Sequence, residues 1–159
     1  MKRIFYSFHF KNDVMRVQQI RNIGVIEENR PVTPPRWEEI KLGGDAAIKE
    51  WIDERINSAS CVVVLIGSET YQSKWVKYEI KKAWDEGKGL VGVYIHNLKD
   101  PRTGACSKGP DPFSFISLKN DKQLSDYITV YDPGVDAYNW IAKNIVGLVE
   151  KGIQSKRNV

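Results

Sequence analysis

The chain has 159 residues, which suits one domain, and its 42% hydrophobic and 11% aromatic content is enough to bury a core. Its longest apolar run, Cys61–Ile66, falls far short of the roughly 18 residues of a membrane span. The net charge of +4 is mild; it is compatible with an anionic small ligand and, being dispersed, says little about nucleic acid, and no nucleic-acid partner is expected.

Arg3–Phe10 is rich in β-branched and aromatic residues and reads as a first strand, ending near Ser7-Phe8-His9. Asp13 is placed to cap a helix through Val14, Val17, Ile20 and Ile23, with Gly24 as its stop. Residues 27–44 carry Pro31, Pro34, Pro35 and Gly43-Gly44 and predict a long loop with a short edge strand near Arg30–Thr33. Asp45 then caps a second helix, with Ala46, Ile48, Trp51, Ile52 and Ile56 at helical spacing.

Ser60–Gly67 is a continuous apolar run, the pattern of a central parallel strand covered on both faces. A helix over Tyr71–Lys88 follows, then a strand over Gly89–Ile95 and a polar loop over 98–125. Tyr127–Tyr131 reads as a last short strand. A final amphipathic helix puts Tyr138, Ile141, Ala142, Ile145, Leu148 and Val149 on one face. A single domain over 1–153 with a frayed tail over 154–159 is expected. Alternating strands and helices predict an α/β fold: a mostly parallel sheet of four or five strands with helices on both faces. Ligands of such sheets bind beyond the carboxyl ends of the strands, which directs attention to the segments after Ser7 and after Gly67.

Several motifs are decided by context. Gly87-Lys-Gly-Leu-Val-Gly92 matches the dinucleotide fingerprint G-x-G-x-x-G, but a helix precedes it and a strand follows, the reverse of what that motif requires. Two cysteines and two separated histidines make neither a disulfide framework nor a zinc site. With no Asn-x-Ser/Thr sequon and no leader-like start, a reducing, cytoplasmic setting is expected.

On the helix after the apolar strand, Val76, Ile80, Ala83 and Trp84 form the buried stripe, and Lys74, Lys77, Lys81 and Asp85 face solvent. Glu79 falls at the border. It is either a carboxylate turned into a cleft or a solvated side chain paired with Lys82, three residues on. Ser7, Phe8 and His9 offer a hydroxyl, a ring and an imidazole at the mouth of the sheet, or else a turn cap, a core residue and a surface residue. Trp37 is either a loop anchor or a ring that stacks on a base.

Together these blocks resemble the TIR-like domain family that includes the NAD-consuming TIR proteins of the bacterial Thoeris anti-phage system. The resemblance is carried by Arg3-Ile-Phe-Tyr-Ser-Phe-His9, Trp37-Glu with the Asp45 helix, Cys61–Ser68, Lys74-Trp-Val-Lys-Tyr-Glu-Ile80, Gly92–Asn97 and Ser107–Phe113. It implies a flavodoxin-like TIR fold and cleavage of NAD, as substrate rather than cofactor, to a signalling nucleotide. It maps the catalytic carboxylate to Glu79 and the nucleotide cleft to Ser7, Phe8 and His9, with Trp37, Trp75 and Tyr78 as further cleft residues and no metal. It also implies self-association through TIR–TIR contacts, a phage-derived trigger and a downstream effector that senses the product. A non-enzymatic TIR-like interaction module and a nucleoside-processing enzyme of similar fold are the alternatives.

Overall fold

The computed structural model describes residues 3–24, 27–28 and 34–157. Five strands, β1 (Arg3–Ser7), β2 (Glu27–Glu28), β3 (Cys61–Ile66), β4 (Gly89–Tyr94) and β5 (Val130–Tyr131), form one sheet in the order β2-β1-β3-β4-β5. Every pairing is parallel, with Ile4 beside Cys61 and Ser7 beside Val64, so the fold is the expected α/β type. The strand order reverses between β1 and β3, which makes their carboxyl ends the switch point of the sheet.

Among the described residues, five helices cover the sheet: α1 (Phe10–Ile23), α2 (Pro34–Leu42), α3 (Gly44–Asn57), α4 (Lys74–Asp85) and α5 (Ala137–Arg157). One core layer joins Ile4, Tyr6, Val63 and Val93 to Val17 and Ile20 of α1 and Ile141 and Ile145 of α5. The other joins Phe5, Val62, Val64 and Ile66 to Ile48 and Ile52 of α3 and Val76 and Ile80 of α4. Side chains alternate along a strand, so Phe5 and Ser7 share the face that α3 and α4 cover. Ser7 is therefore a hydroxyl in a row that is otherwise apolar, and it is fully buried.

The first strand stops at Ser7 rather than Phe10, because α1 starts three residues later with His9 as its cap. The His9 Nδ1 accepts the Asn12 N–H at 3.2 Å, a service Asp13 does not perform. Gly24 ends the helix in the left-handed region, as predicted. The loop expected over 27–44 contains α2. Its two prolines occupy the first positions of that helix, where their missing N–H groups cost nothing. The edge strand expected at Arg30–Thr33 lies outside the described residues, and the observed edge strand is Glu27–Glu28.

Gly43 rather than Asp45 occupies the cap position of α3. A short 3-10 turn over Thr70–Gln72 precedes α4, whose start is fixed by the Ser73 hydroxyl accepting the Val76 N–H at 3.2 Å. The last strand is shorter than expected, and two further 3-10 turns punctuate the segment before it. Tyr138, expected on the buried face of α5, is 45% exposed; Ala137 takes the inward position instead. The tail expected to fray from Gln154 is helical through Arg157.

Asp13 is occupied elsewhere. It is fully buried and pairs with Arg16 at 2.7 Å, a side chain itself only 3% exposed. Arg16 also donates to the carbonyls of Leu98 and Gly104, at 2.8 and 2.7 Å, and so ties the segment after β4 to α1. A buried pair contributes little net stability, but removing one partner strands the other charge without water. Arg16→Met is therefore expected to lower unfolding stability by about 3 kcal/mol or more in urea titration. A loss below about 1 kcal/mol contradicts this reading of the pair.

Candidate active site

Glu79 sits on the inner border of α4, between the core residues Val76 and Ile80, and is only 7% exposed. The Ser7 hydroxyl at the end of β1 donates to its Oε1 at 2.6 Å. Glu79 is thus not the solvated helix-surface residue that the alternative required. Lys82, the partner that alternative assigned, bridges Glu86 and Asp53 instead. Burial pushes the Glu79 carboxyl up to about 8, against the smaller downward pull of the Ser7 hydrogen bond. At neutral pH the side chain accordingly holds its proton most of the time.

The carboxyl lines a hollow of about 220 Å³ at the switch point. Phe8, Phe10, Trp37, Trp51 and Trp75 supply most of its apolar wall, and His9 and Ser73 add polar side chains. The rings form a continuous series. Phe8 stacks on Phe10 at 5.8 Å, Phe10 meets Trp37 at 5.4 Å, and Trp37 meets the edge of Trp51 at 5.8 Å. Three cations, Lys11, Arg21 and Lys41, complete the lining. Such a box favours a flat, electron-poor or cationic ring, because aromatic faces attract positive charge and a desolvated contact is worth about 2 kcal/mol. Among the described residues, no group of three or more His, Cys, Asp or Glu side chains gathers as metal ligands.

The structure brings together Glu79, Ser7, Phe8, His9, Trp37 and Trp75. It does not bring in Tyr78. That side chain lies one residue off the inner face of α4, and its hydroxyl donates to Asp53 Oδ1 at 2.6 Å. This bond to a carboxylate holds the phenol proton and pushes Tyr78 up to about 12. Its ring meets Trp75 of the pocket wall edge-on at 6.0 Å.

The model of the Thoeris protein ThsB TIR-like domain matches residues 5–100. A protein of Bacillus cereus (strain MSX-D12), named "Putative cyclic ADP-D-ribose synthase ThsB1", is 36% identical over 134 residues, which cover 79% of this chain and 70% of the relative. The chain belongs to the ThsB TIR-like domain family. The matched segment of this ThsB-like chain holds Ser7, Glu79 and every ring of the pocket wall, whereas β5 and α5 lie beyond it.

Sequence reasoning missed Phe10, Trp51 and the three cations. From the sequence, Phe10 reads with the first strand and Trp51 with the helical apolar spacing of the second helix. Neither residue carries a signal of its own in the sequence, because Phe10 continues the apolar and aromatic run that starts at Arg3 and Trp51 lies next to the core residue Ile52. For the cations the available signal was placement. Lys11 lies close after Ser7, and Lys41 lies just before the glycine pair that ends the predicted loop.

The raised Glu79 carboxyl has a sign for stability. Folding favours its protonated form, so this contribution is complete below the ordinary carboxyl value of 4.5 and is lost as pH rises through about 8. Glu79→Gln removes the charge at every pH. Between about pH 5 and 9, the wild type is expected to lose stability relative to Glu79→Gln, on the order of a few kcal/mol. Parallel stability profiles for the two proteins contradict a carboxyl that stays neutral in the fold.

Proposed function

We propose that this chain cleaves NAD at the bond between nicotinamide and ribose, yielding an ADP-ribose-derived signalling molecule in anti-phage defence. The observation that carries this reading is the buried Glu79 carboxyl at the base of an aromatic box. A carboxyl that is desolvated there with a single hydroxyl as its partner costs folding free energy, and strongly perturbed acids of this kind cluster at functional sites. The family membership and the name of the Bacillus cereus relative support the same chemistry.

The reaction needs little from the protein beyond charge and shape. The nicotinamide of NAD is a pyridinium, already a good leaving group, so no acid has to protonate it. When the C–N bond breaks, its electron pair goes to the ring nitrogen and neutralises it. The positive charge passes to the ribose as an oxocarbenium-like centre. Before this step, the incoming pyridinium lowers the Glu79 carboxyl by proximity, and the proton leaves. The carboxylate then faces a charge that moves from the ring toward the sugar, the kind of preorganised electrostatic stabilisation that favours a transition state. The rings hold the leaving group and exclude water. Capture by a nucleophile within the substrate, with loss of its proton, gives a cyclic ADP-ribose isomer, and capture by water gives ADP-ribose. Self-association between TIR units, a phage-derived trigger and an effector that reads the product complete the proposal. The hollow of about 220 Å³ is smaller than the roughly 300 Å³ and above of typical ligand sites, which favours a site that is extended by assembly.

Two measurements of nicotinamide release test this. Glu79→Gln is expected to lower kcat by at least about 100-fold with little change in KM. Cleavage that survives the substitution overturns the catalytic assignment. In the wild type, kcat/KM rises with pH through about 8, as the free enzyme's carboxyl ionises. Ser7 touches the carboxyl and is a positioning residue. Its hydrogen bond pulls Glu79 down, so Ser7→Ala is expected to displace that rise to higher pH. An unmoved profile overturns this role for Ser7.

A further inference from the structure

The His9 imidazole has two nitrogens, and the fold uses one of them. The His9 carbonyl accepts the Asp13 N–H at 2.9 Å, and its Nδ1 accepts the Asn12 N–H at 3.2 Å. The side chain is thereby held against the first turn of α1 as its cap. A ring nitrogen that accepts a hydrogen bond carries no proton of its own, so the imidazole N–H sits on Nε2. Nε2 has no partner among the described residues. Nor is it one of the buried unpaired atoms, unlike the Nδ1 of His96. His9 lines the hollow with its helix-facing nitrogen engaged, which leaves the Nε2–H as an open donor to whatever fills that space.

The chain sets the distance from this donor to Glu79. Ser7, whose hydroxyl holds the Glu79 carboxyl at 2.6 Å, precedes His9 by two residues. Two residues span at most about 7 Å. Glu79 and His9 both line the hollow, and a furanose with its hydroxyls suits the space between groups so spaced. The pair also defines the chemistry of what lies between. His9 offers a donor, and Glu79 once ionised offers acceptors alone. A hydroxyl answers both on a single oxygen, accepting one hydrogen bond and donating another, whereas an ether or a phosphate oxygen accepts only.

We infer that His9 is a sugar-binding group of the pocket: its Nδ1 holds the start of α1, and this directs the Nε2–H to a hydroxyl of the ribose that Glu79 faces. The inference rests on the reading of the pocket as an NAD site and names the part of the substrate that His9 selects.

Two substitutions separate the two ends of the imidazole. Asparagine places an oxygen where Nδ1 stands and has nothing at Nε2; glutamine reaches the Nε2 position with an amide N–H and loses the cap. Thermal melting reads the cap. His9→Asn is expected to melt within about 1 °C of the wild type, and His9→Gln about 2–4 °C lower. Calorimetric titration of the full chain with carba-NAD reads the donor. In this probe a methylene replaces the ring oxygen of the nicotinamide-side ribose, so no oxocarbenium-like centre forms and the bond stays intact. His9→Asn is expected to bind it about tenfold more weakly, and His9→Gln to recover affinity to within about threefold of the wild type. Of the two probes that each lack one hydroxyl of that ring, one is expected to lose about tenfold with the wild type and less than about twofold with His9→Asn.

Affinity that follows the melting temperature instead, intact in His9→Asn and weakened in His9→Gln, makes His9 a cap alone and overturns the inference. Hydroxyl losses that are equal in the wild type and His9→Asn overturn it as well, and so does a proton found on Nδ1 by nitrogen-15 NMR of the histidine ring. In each of these cases wild type that binds carba-NAD leaves the NAD reading standing. Wild type that binds no carba-NAD overturns that reading and, with it, the ligand assigned to His9.

Discussion

The Ser7 hydroxyl reaches from the end of β1 to the Glu79 carboxyl on α4, 72 positions along the chain, and the pocket is arranged about that contact. It requires β1 and β3 to lie side by side, with α4 packed on the face that Phe5 and Ser7 share. It also requires a carboxyl to give up most of its hydration. The fold supplies the first condition through two apolar layers, one on each side of the sheet. The second is offset only in part by the single hydrogen bond, which is why the carboxyl stays far above its ordinary range. On the proposed function, this neutral acid beside aromatic rings ionises when a cationic ring arrives.

The polar interior of the other layer has a different purpose. Asp13 and Arg16 are as buried as Glu79, but Arg16 spends its donors on Asp13 and on the carbonyls of Leu98 and Gly104. These bonds fasten the segment after β4 to α1, whose first turn forms one lip of the pocket. The two buried acids are thus separated by partner. Asp13 is held by a cation and braces the fold, while Glu79 is held by a hydroxyl and remains available to a ligand. Burial raises both carboxyls. The cation beside Asp13 opposes that rise, and Glu79 has no such neighbour among its partners.

Much of this was legible in the sequence because it follows from pattern. The unbroken run Cys61–Ile66 marks a doubly covered strand, and the stripe Val76, Ile80, Ala83 places Glu79 at a border. What was not legible depends on tertiary context. Pro34 and Pro35 fit a loop as readily as they fit a helix start, and only the structure decides for α2. Asp13 has the residue type of a cap, but His9 takes that position because the helix starts four residues earlier, at Phe10. Trp51 shares its helix with Ile48 and Ile52, and nothing in their spacing distinguishes a ring that packs inward from one that walls a pocket. Tyr78 adjoins the carboxylate in sequence yet points to Asp53, since neighbours on a helix diverge by about 100°. The family resemblance located the carboxyl; its burial and its partner came from the fold.

The proposed function requires that Glu79 is neutral in the free protein and ionises when a pyridinium binds. Carbon-13 NMR titration of the glutamate side-chain carboxyls measures it directly, with Glu79→Gln used to assign the signal. The account predicts a titration near 8 in the free protein, moving down by about one unit or more when nicotinamide riboside is bound. A Glu79 carboxyl that titrates in the ordinary acid range, or one that ignores the bound cation, contradicts it.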